Sequence, residues 1–222
     1  MSDLGQLLTA IRFADSAFPS GGFAFSSGLE GSQRDGWVQG EDDVAAFASE
    51  QLVGRWHQCD RVLMRLAWAQ PDPIAADLLA ETVGTMSVLR EASRRAGAAA
   101  LTTFAAIAEA GATEVADYRA RVLTGTAPGH LPVAQAICFR TAGLTLETAE
   151  AVAAWQVLSG TTGAALRLGV CGHLGAQRIL TALTPVLLDV LRWAPPAEPC
   201  PFTTYADIAA QRRSDGVRLF AS

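Results

Sequence analysis

Three histidines, His57, His130 and His173, and four cysteines, Cys59, Cys138, Cys171 and Cys200, are the side chains best suited to metal or nucleophilic chemistry in this 222-residue sequence. Their spacing supplies little of it. His57 and Cys59 stand two apart and diverge on a helix, whereas ligands sharing a helical face stand three or four apart. Cys171 and His173 have the same spacing but lie among glycines, where a loop would bring a thiolate and an imidazole together. Both suit a late transition metal, yet two ligands with few carboxylates nearby fall short of a site. The plainer reading is a buried thiol and a hydrogen-bonded imidazole. No H-E-x-x-H pair and no G-x-S-x-G elbow is present. The carboxylate pairs Asp42/Asp43 and Glu147/Glu150 fall where helices start, and negative charge there answers the helix dipole. We expect no catalytic residue, no metal ligand and no cofactor.

Composition narrows the choice further. All 17 Lys/Arg positions are arginine. Without lysine there is no P-loop lysine and no Schiff-base nucleophile. A net charge of −5 argues against a nucleic-acid binder, which needs a basic face to release counterions. The cysteines show neither CxxC pairs nor the density of a disulfide scaffold. The N-terminus has an acidic residue where a signal peptide needs positive charge, and no uninterrupted apolar run reaches the roughly 18 residues of a membrane span. These features predict a cytoplasmic, reduced protein.

The elements that would hold these side chains are helices. From Asp42 to Ala69 the series Val44, Phe47, Ala48, Leu52, Trp56, Cys59, Leu63 and Leu66 advances in threes and fours, one apolar stripe. "QPDP" at 70–73 ends it, because proline disfavours the helical region for the residue before it. Helical segments follow over 74–110, with Gly84 and Gly97 as weak points, over 114–125, from Pro132 to Ala142, over 146–168 and over 173–193. In the last, Leu174, Leu180, Leu183, Leu187 and Leu191 mark the apolar face. Thr145 with Thr148 makes a poor capping box, and Glu147 is the better start signal. No period-two run is long enough for a strand. The pattern predicts a single-domain all-α bundle of roughly seven to ten helices over 1–193. A Pro-rich linker and C-terminal tail follow over 194–222, with a short polar helix through Tyr205–Arg213.

Two glycine-rich runs stand out. "DSAFPSGGFAFSSGLE" at 15–30 breaks a helix at Pro19, Gly21 and Gly22 and permits a tight turn. Ser26 or Ser27 is placed to cap the next helix. Read alone, it is a helix–loop–helix corner, and it lacks the GK[ST] of a phosphate loop. "LRLGVCGHLGAQRIL" at 166–180 sets Gly169, Gly172 and Gly175 three apart. Either the helix breaks there, or close backbone packing offsets about 1 kcal/mol per glycine.

Both runs carry a resemblance. Asp15, Ser16, Pro19, Gly21, Gly22, Phe23, Ser26, Gly28, Leu29 and Glu30 resemble the N-terminal signature of the UreF family of urease accessory proteins. Arg167, Leu168, Gly169, Gly172, Gln177, Arg178 and Leu180 resemble its C-terminal signature, with His173 where many members have Gln and Ala176 in place of a glycine. "GHLPVAQAICFRTAGL" and the terminal "RLFAS" are fainter echoes. The resemblance implies a non-enzymatic assembly protein that forms a complex with UreD (UreH), recruits or regulates the GTPase UreG, and helps deliver nickel to apo-urease. It also implies a homodimer. Partner contacts are then expected at Pro19, Gly21, Gly22, Phe23, Ser26, Glu30, Gln177 and Arg178. The tail adds Arg218, Leu219 and Phe220, with Val217 as a further apolar anchor and Arg212 and Arg213 at the rim. Two other classes compete: a small helical enzyme using Asp15, Ser26 and Glu30 near the corner, and a purely structural dimerisation module.

Overall fold

The computed structural model describes residues 3–19, 26–107, 113–200 and 205–211. Among them are ten separate helical units and no strand, the all-α architecture expected. In chain order they are α1 (Asp3–Ala14), α2 (Leu29–Arg34), a three-part rod, α5 (Ile74–Val83), α6 (Ser87–Ile107), α7 (Thr113–Leu123), α8 (Leu131–Thr141), α9 (Leu146–Arg167), α10 (His173–Arg192) and α11 (Tyr205–Gln211). The rod runs without interruption from α3 (Glu41–Glu50) through the π-helical stretch Gln51–Asp60 into α4 (Arg61–Ala69).

The rod starts and stops as its sequence dictates. Glu41, Asp42 and Asp43 occupy the first turn, and Gln70 turns extended ahead of Pro71 (φ −107°, ψ 143°). Its middle departs from the expected stripe. A π-helix bonds i to i+5, so the side chains that return to one face are five apart. The buried pairs are Gln51/Leu52, Trp56/His57 and Arg61/Val62. Cys59, placed in the stripe by α-helical counting, therefore turns out of the core and is half-buried.

The other segments meet their predicted limits with one residue or so to spare. The 74–110 region divides at Gly84, as that glycine suggests, but Gly97 stays helical. A Cβ on Gly97 would collide with the Gly129 carbonyl oxygen and meet His130 C at 2.9 Å and Leu131 N at 3.0 Å. The glycine is there so that α6 and the start of α8 can touch backbone to backbone. Pro132 sits in the first turn of α8, where its missing N–H has no partner to lose. Thr145 caps α9 after all, accepting from Thr148 N at 3.2 Å.

The core is aliphatic around an aromatic knot. Phe13 stacks on Phe139 with centroids 5.2 Å apart, meets Phe18 edge-on at 5.0 Å and lies 5.9 Å from Phe104. One side chain thus fastens α1 to α6 and α8, each ring pair adding about 0.5–1.5 kcal/mol beyond burial. Gln156 Nε2 donates to the Phe13 carbonyl at 2.7 Å, which ties α1 to α9 as well.

α10 is the one described helix long and apolar enough, by length and composition, to cross a membrane. In the fold it packs against α9 and α3. Gly175, Ala176, Ile179, Leu180, Leu183, Leu187 and Val190 form its buried face. Leu174, expected on that face, is 76% exposed. Six residues separate it from Leu180, which at 3.6 per turn lies far from a whole number of turns.

Two buried polar groups lock the bundle. Arg61 donates to Glu150 Oε2 at 2.9 Å and to the carbonyls of Val190 (2.8 Å), Leu191 (3.0 Å) and Trp193 (3.1 Å), so it caps the C-terminus of α10. Arg65 reaches the other Glu150 oxygen at 2.7 Å. Asp77 is fully buried and accepts from Tyr118 OH (2.6 Å), Gly129 N (2.8 Å) and His130 N (2.9 Å). It clamps the turn between α7 and α8.

Candidate docking surface

The corner flagged at 15–30 is anchored at both described ends. Asp15 Oδ1 accepts from Ala17 N at 2.8 Å, a local turn bond. The Pro19 carbonyl accepts from Thr103 Oγ1 on α6 at 3.0 Å. Gly21, Gly22 and Phe23 lie outside the described residues. Ser27 (φ 51°) and Gly28 (φ 90°) are both left-handed, and Gly28 holds the N-cap position of α2. Ser26 is buried and its Oγ accepts from Glu30 N at 3.4 Å, so it serves the helix start from two residues upstream. Asp15 and Ser26 each have a bond within their own turn, the ordinary work of a helix corner.

α2 is short, and α11 lies across it. A Cβ on Gly31 would stand 2.5 Å from the Ala209 carbonyl oxygen and 3.0 Å from the Ala209 Cβ, so the glycine permits the crossing. Tyr205 lies over Trp37 with ring centroids 4.8 Å apart and donates to Asp35 Oδ2 at 2.7 Å. Asp207 is buried and paired with Arg55 of the π-helical stretch. The N-terminal corner and the segment after the Pro-rich linker thus meet on one surface. Sequence reasoning did not join them, because Trp37, Arg55, Tyr205 and Asp207 are far apart in the chain and belong to no motif. Gly31, one residue past the corner, was the available signal. Arg218, Leu219 and Phe220 lie outside the described residues.

The run at 166–180 resolves as a break followed by one packed glycine. α9 ends at Arg167, Gly169 is left-handed (φ 72°), and Gly172 is the extended N-cap of α10. Gly175 alone is packed, with a Cβ there 2.7 Å from Glu41 Cδ. Arg178 spans the same carboxylate bidentately, Nη2 to Oε1 at 2.7 Å and Nε to Oε2 at 3.0 Å. That bond holds Glu41 below the usual carboxylate range. Gln177, Arg178, His173 and Leu174 all face outward at this end of α10. Cys171 is buried and His173 exposed, and no group of three or more His, Cys, Asp or Glu among the described residues is placed to hold a metal.

Under α11 lies a cleft of about 90 Å³, lined by Arg55, Cys59, Asp60, Arg90, His130 and Asp207 among others. Burial, with the charge of Asp60, pushes the Cys59 thiol up to about 12, so it stays protonated and unreactive near neutrality. Burial likewise pushes Asp60 up to about 6 against the opposing pull of Arg55. The folded protein therefore keeps a proton on Asp60 between about pH 4 and 6 that the unfolded chain has released. The stability linked to that proton is present below pH 4 and is lost as pH rises through 6. Asp60→Asn is expected to flatten this part of the profile in urea titrations over about pH 4–7, and an unchanged slope would contradict the assignment.

Of the groups singled out in the sequence, Asp15, Ser26, Gly172, Gly175 and Arg178 are used for turn bonding, helix capping, close packing and ion pairing. The described chain is an all-α bundle. The UreF family model matches residues 38–184, more than half of the chain, and the protein belongs to that family. The match takes in the 166–180 run and begins after the 15–30 corner. Three relatives bear the name Urease accessory protein UreF. That of Trichodesmium erythraeum is 28% identical over 195 residues, covering 83% of this chain and 81% of the relative. That of Arthrobacter sp. is 29% identical over 181 residues, covering 81% and 80%. That of Paenarthrobacter aurescens is 30% identical over 179 residues, covering 76% and 75%. The family is one of accessory proteins, not enzymes.

Proposed function

We propose that this protein is a cytoplasmic, homodimeric assembly factor that helps insert nickel into apo-urease, by binding UreD (UreH) and recruiting or regulating the GTPase UreG. The observation that carries the reading is the meeting of α2 and α11. It sets the end of the 15–30 run, at Leu29 and Glu30, against the short helix that precedes the tail, with Trp37 65% exposed beside them. An exposed aromatic next to a glycine-tight crossing is the kind of anchor that interfaces use. In the sequence, residues 212–222 follow α11 and supply Leu219 and Phe220 as further anchors and Arg218 as a rim charge.

Removal of residues 210–222 is expected to abolish co-purification with UreD while leaving the helical circular dichroism intact. Retained co-purification would overturn the docking role of the tail. UreG turnover measured with and without this protein separates stimulation, gating and simple recruitment.

A further inference from the structure

Two cysteines from distant parts of the chain meet beside the π-helical stretch. Cys59 lies on that stretch and is half-buried, whereas Cys200, near the end of the Pro-rich run, is exposed, and both are thiols. The Cys200 amide donates to the Gln58 carbonyl at 2.9 Å, one residue short of Cys59. Bond lengths across a trans peptide then keep the two Cα atoms within about 7 Å at full stretch, and the bend at the amide shortens the path. Disulfides join Cα atoms that usually stand about 4.4–6.8 Å apart. Burial and the charge of Asp60 lead the upward push on the Cys59 thiol, and Cys200 adds to it, as a second sulfur at close range does.

The two thiols differ in the way an exchange reaction needs. Cys200 is open to a bulky reagent. Cys59 is screened and held protonated near neutrality, so it starts no exchange itself. Cys138 and Cys171 are both buried and do not compete. Cys59 and Asp207 of α11 line the same cleft, and Asp207 pairs with Arg55, which also lies on the π-helical stretch. A bond between the two sulfurs would therefore fasten the chain just ahead of α11 to the stretch that Asp207 already holds.

We propose that Cys59 and Cys200 are a redox-responsive pair, which a low-molecular-weight disulfide oxidises to a Cys59–Cys200 disulfide that clips the Pro-rich run, with α11 behind it, to the π-helical stretch. The Cys200 thiolate attacks one sulfur of the oxidant RSSR and releases the other as a thiolate, which leaves a mixed disulfide on Cys200. Cys59 then loses its proton to solvent and attacks the Cys200 sulfur, and the second RS⁻ departs. In total the two protein thiols lose two electrons and two protons, and the oxidant is reduced to two RSH. In a reducing compartment the pair stays open and closes only when oxidant accumulates, the usual behaviour of redox-sensing disulfides there.

The full chain, freshly reduced and then exposed to oxidised glutathione, tests this by non-reducing peptide mapping with mass spectrometry. Glutathione is expected on Cys200 first, and a Cys59–Cys200 disulfide is expected to replace it. Closure should speed up about ten-fold per pH unit between about pH 7 and 9, because the Cys59 thiolate fraction limits it. Cys59→Ser is expected to stop at the mixed disulfide, and Cys200→Ser to leave Cys59 unmodified. A wild-type mixed disulfide that persists at pH 9, or Cys200 joined to Cys138, to Cys171 or to a second chain, overturns the pair. Hydrogen exchange across Tyr205–Gln211 reads the clip itself. It is expected to slow about ten-fold on oxidation and to recover with dithiothreitol, while oxidised Cys59→Ser shows no slowing. Closure with unchanged exchange in α11 overturns the clip.

Discussion

Asp77→Ala is expected to lower the unfolding free energy by about 4 kcal/mol, because one fully buried carboxylate satisfies three donors. Alanine removes the acceptor for Gly129 N and His130 N and leaves both amides facing an emptied apolar space. The Tyr118 hydroxyl loses its partner at the same time. At this chain length such a loss lowers the melting temperature by roughly 10 °C. The loop it clamps is the one whose Gly129 carbonyl lies against Gly97, so α6–α8 packing loosens with it. Tyr118→Phe separates the contributions, since it removes one donor and leaves the two amides bonded, at a cost of about 1 kcal/mol. Chemical denaturation of the two variants side by side makes the check. A difference near zero between them would mean that the amides find other acceptors.

Glu150→Ala is expected to be comparably damaging for an electrostatic reason. Arg61 is 3% exposed and carries its charge into the core. Glu150 compensates it at 2.9 Å, and Arg65 shares the same carboxylate at 2.7 Å. Removing the acid strands a buried guanidinium, which costs about 3–5 kcal/mol. Replacing both partners by apolar side chains of similar size is expected to cost much less, because no unpaired charge remains. The double variant Arg61→Met with Glu150→Leu is then predicted to be more stable than Glu150→Ala in the same denaturation assay. Part of the gain is withheld, because Arg61 also caps three carbonyls at the end of α10. If Glu150→Ala were the more stable of the two, capping would outweigh charge compensation.

The helices were legible because period and punctuation agree along most of the chain. Pro71 and Pro73, Gly125, Pro132 and the acidic first turn at 41–43 fix ends that packing then respects. Cys59 was misplaced because α-helical counting fails where the winding is π, and no single residue in 51–60 announces that winding. Leu174 was misplaced because leucine at the edge of a heptad can fall on either side. The glycines at 169, 172 and 175 look equivalent in the sequence, yet one reverses the chain, one caps a helix and one makes room for a carboxylate. The partner-facing assignments were the least legible. Gly31, Trp37, Tyr205 and Asp207 meet only through tertiary packing, and their residue types alone do not select one another.

The π-helical stretch in the rod makes its length a matter of phase. α3 and α4 are rotated against each other by a winding that spans only ten residues. One residue removed there would turn everything downstream by roughly a quarter turn. Arg61 would swing away from Glu150 and from the end of α10. A single-residue deletion between 51 and 60 is thus a frame error in three dimensions, even though it keeps the reading frame and every side-chain type. The same deletion in the turn at 70–73 would shorten a connection without rotating a buried face. Among homologous chains, length variation should therefore collect at the corners and be purged from the rod.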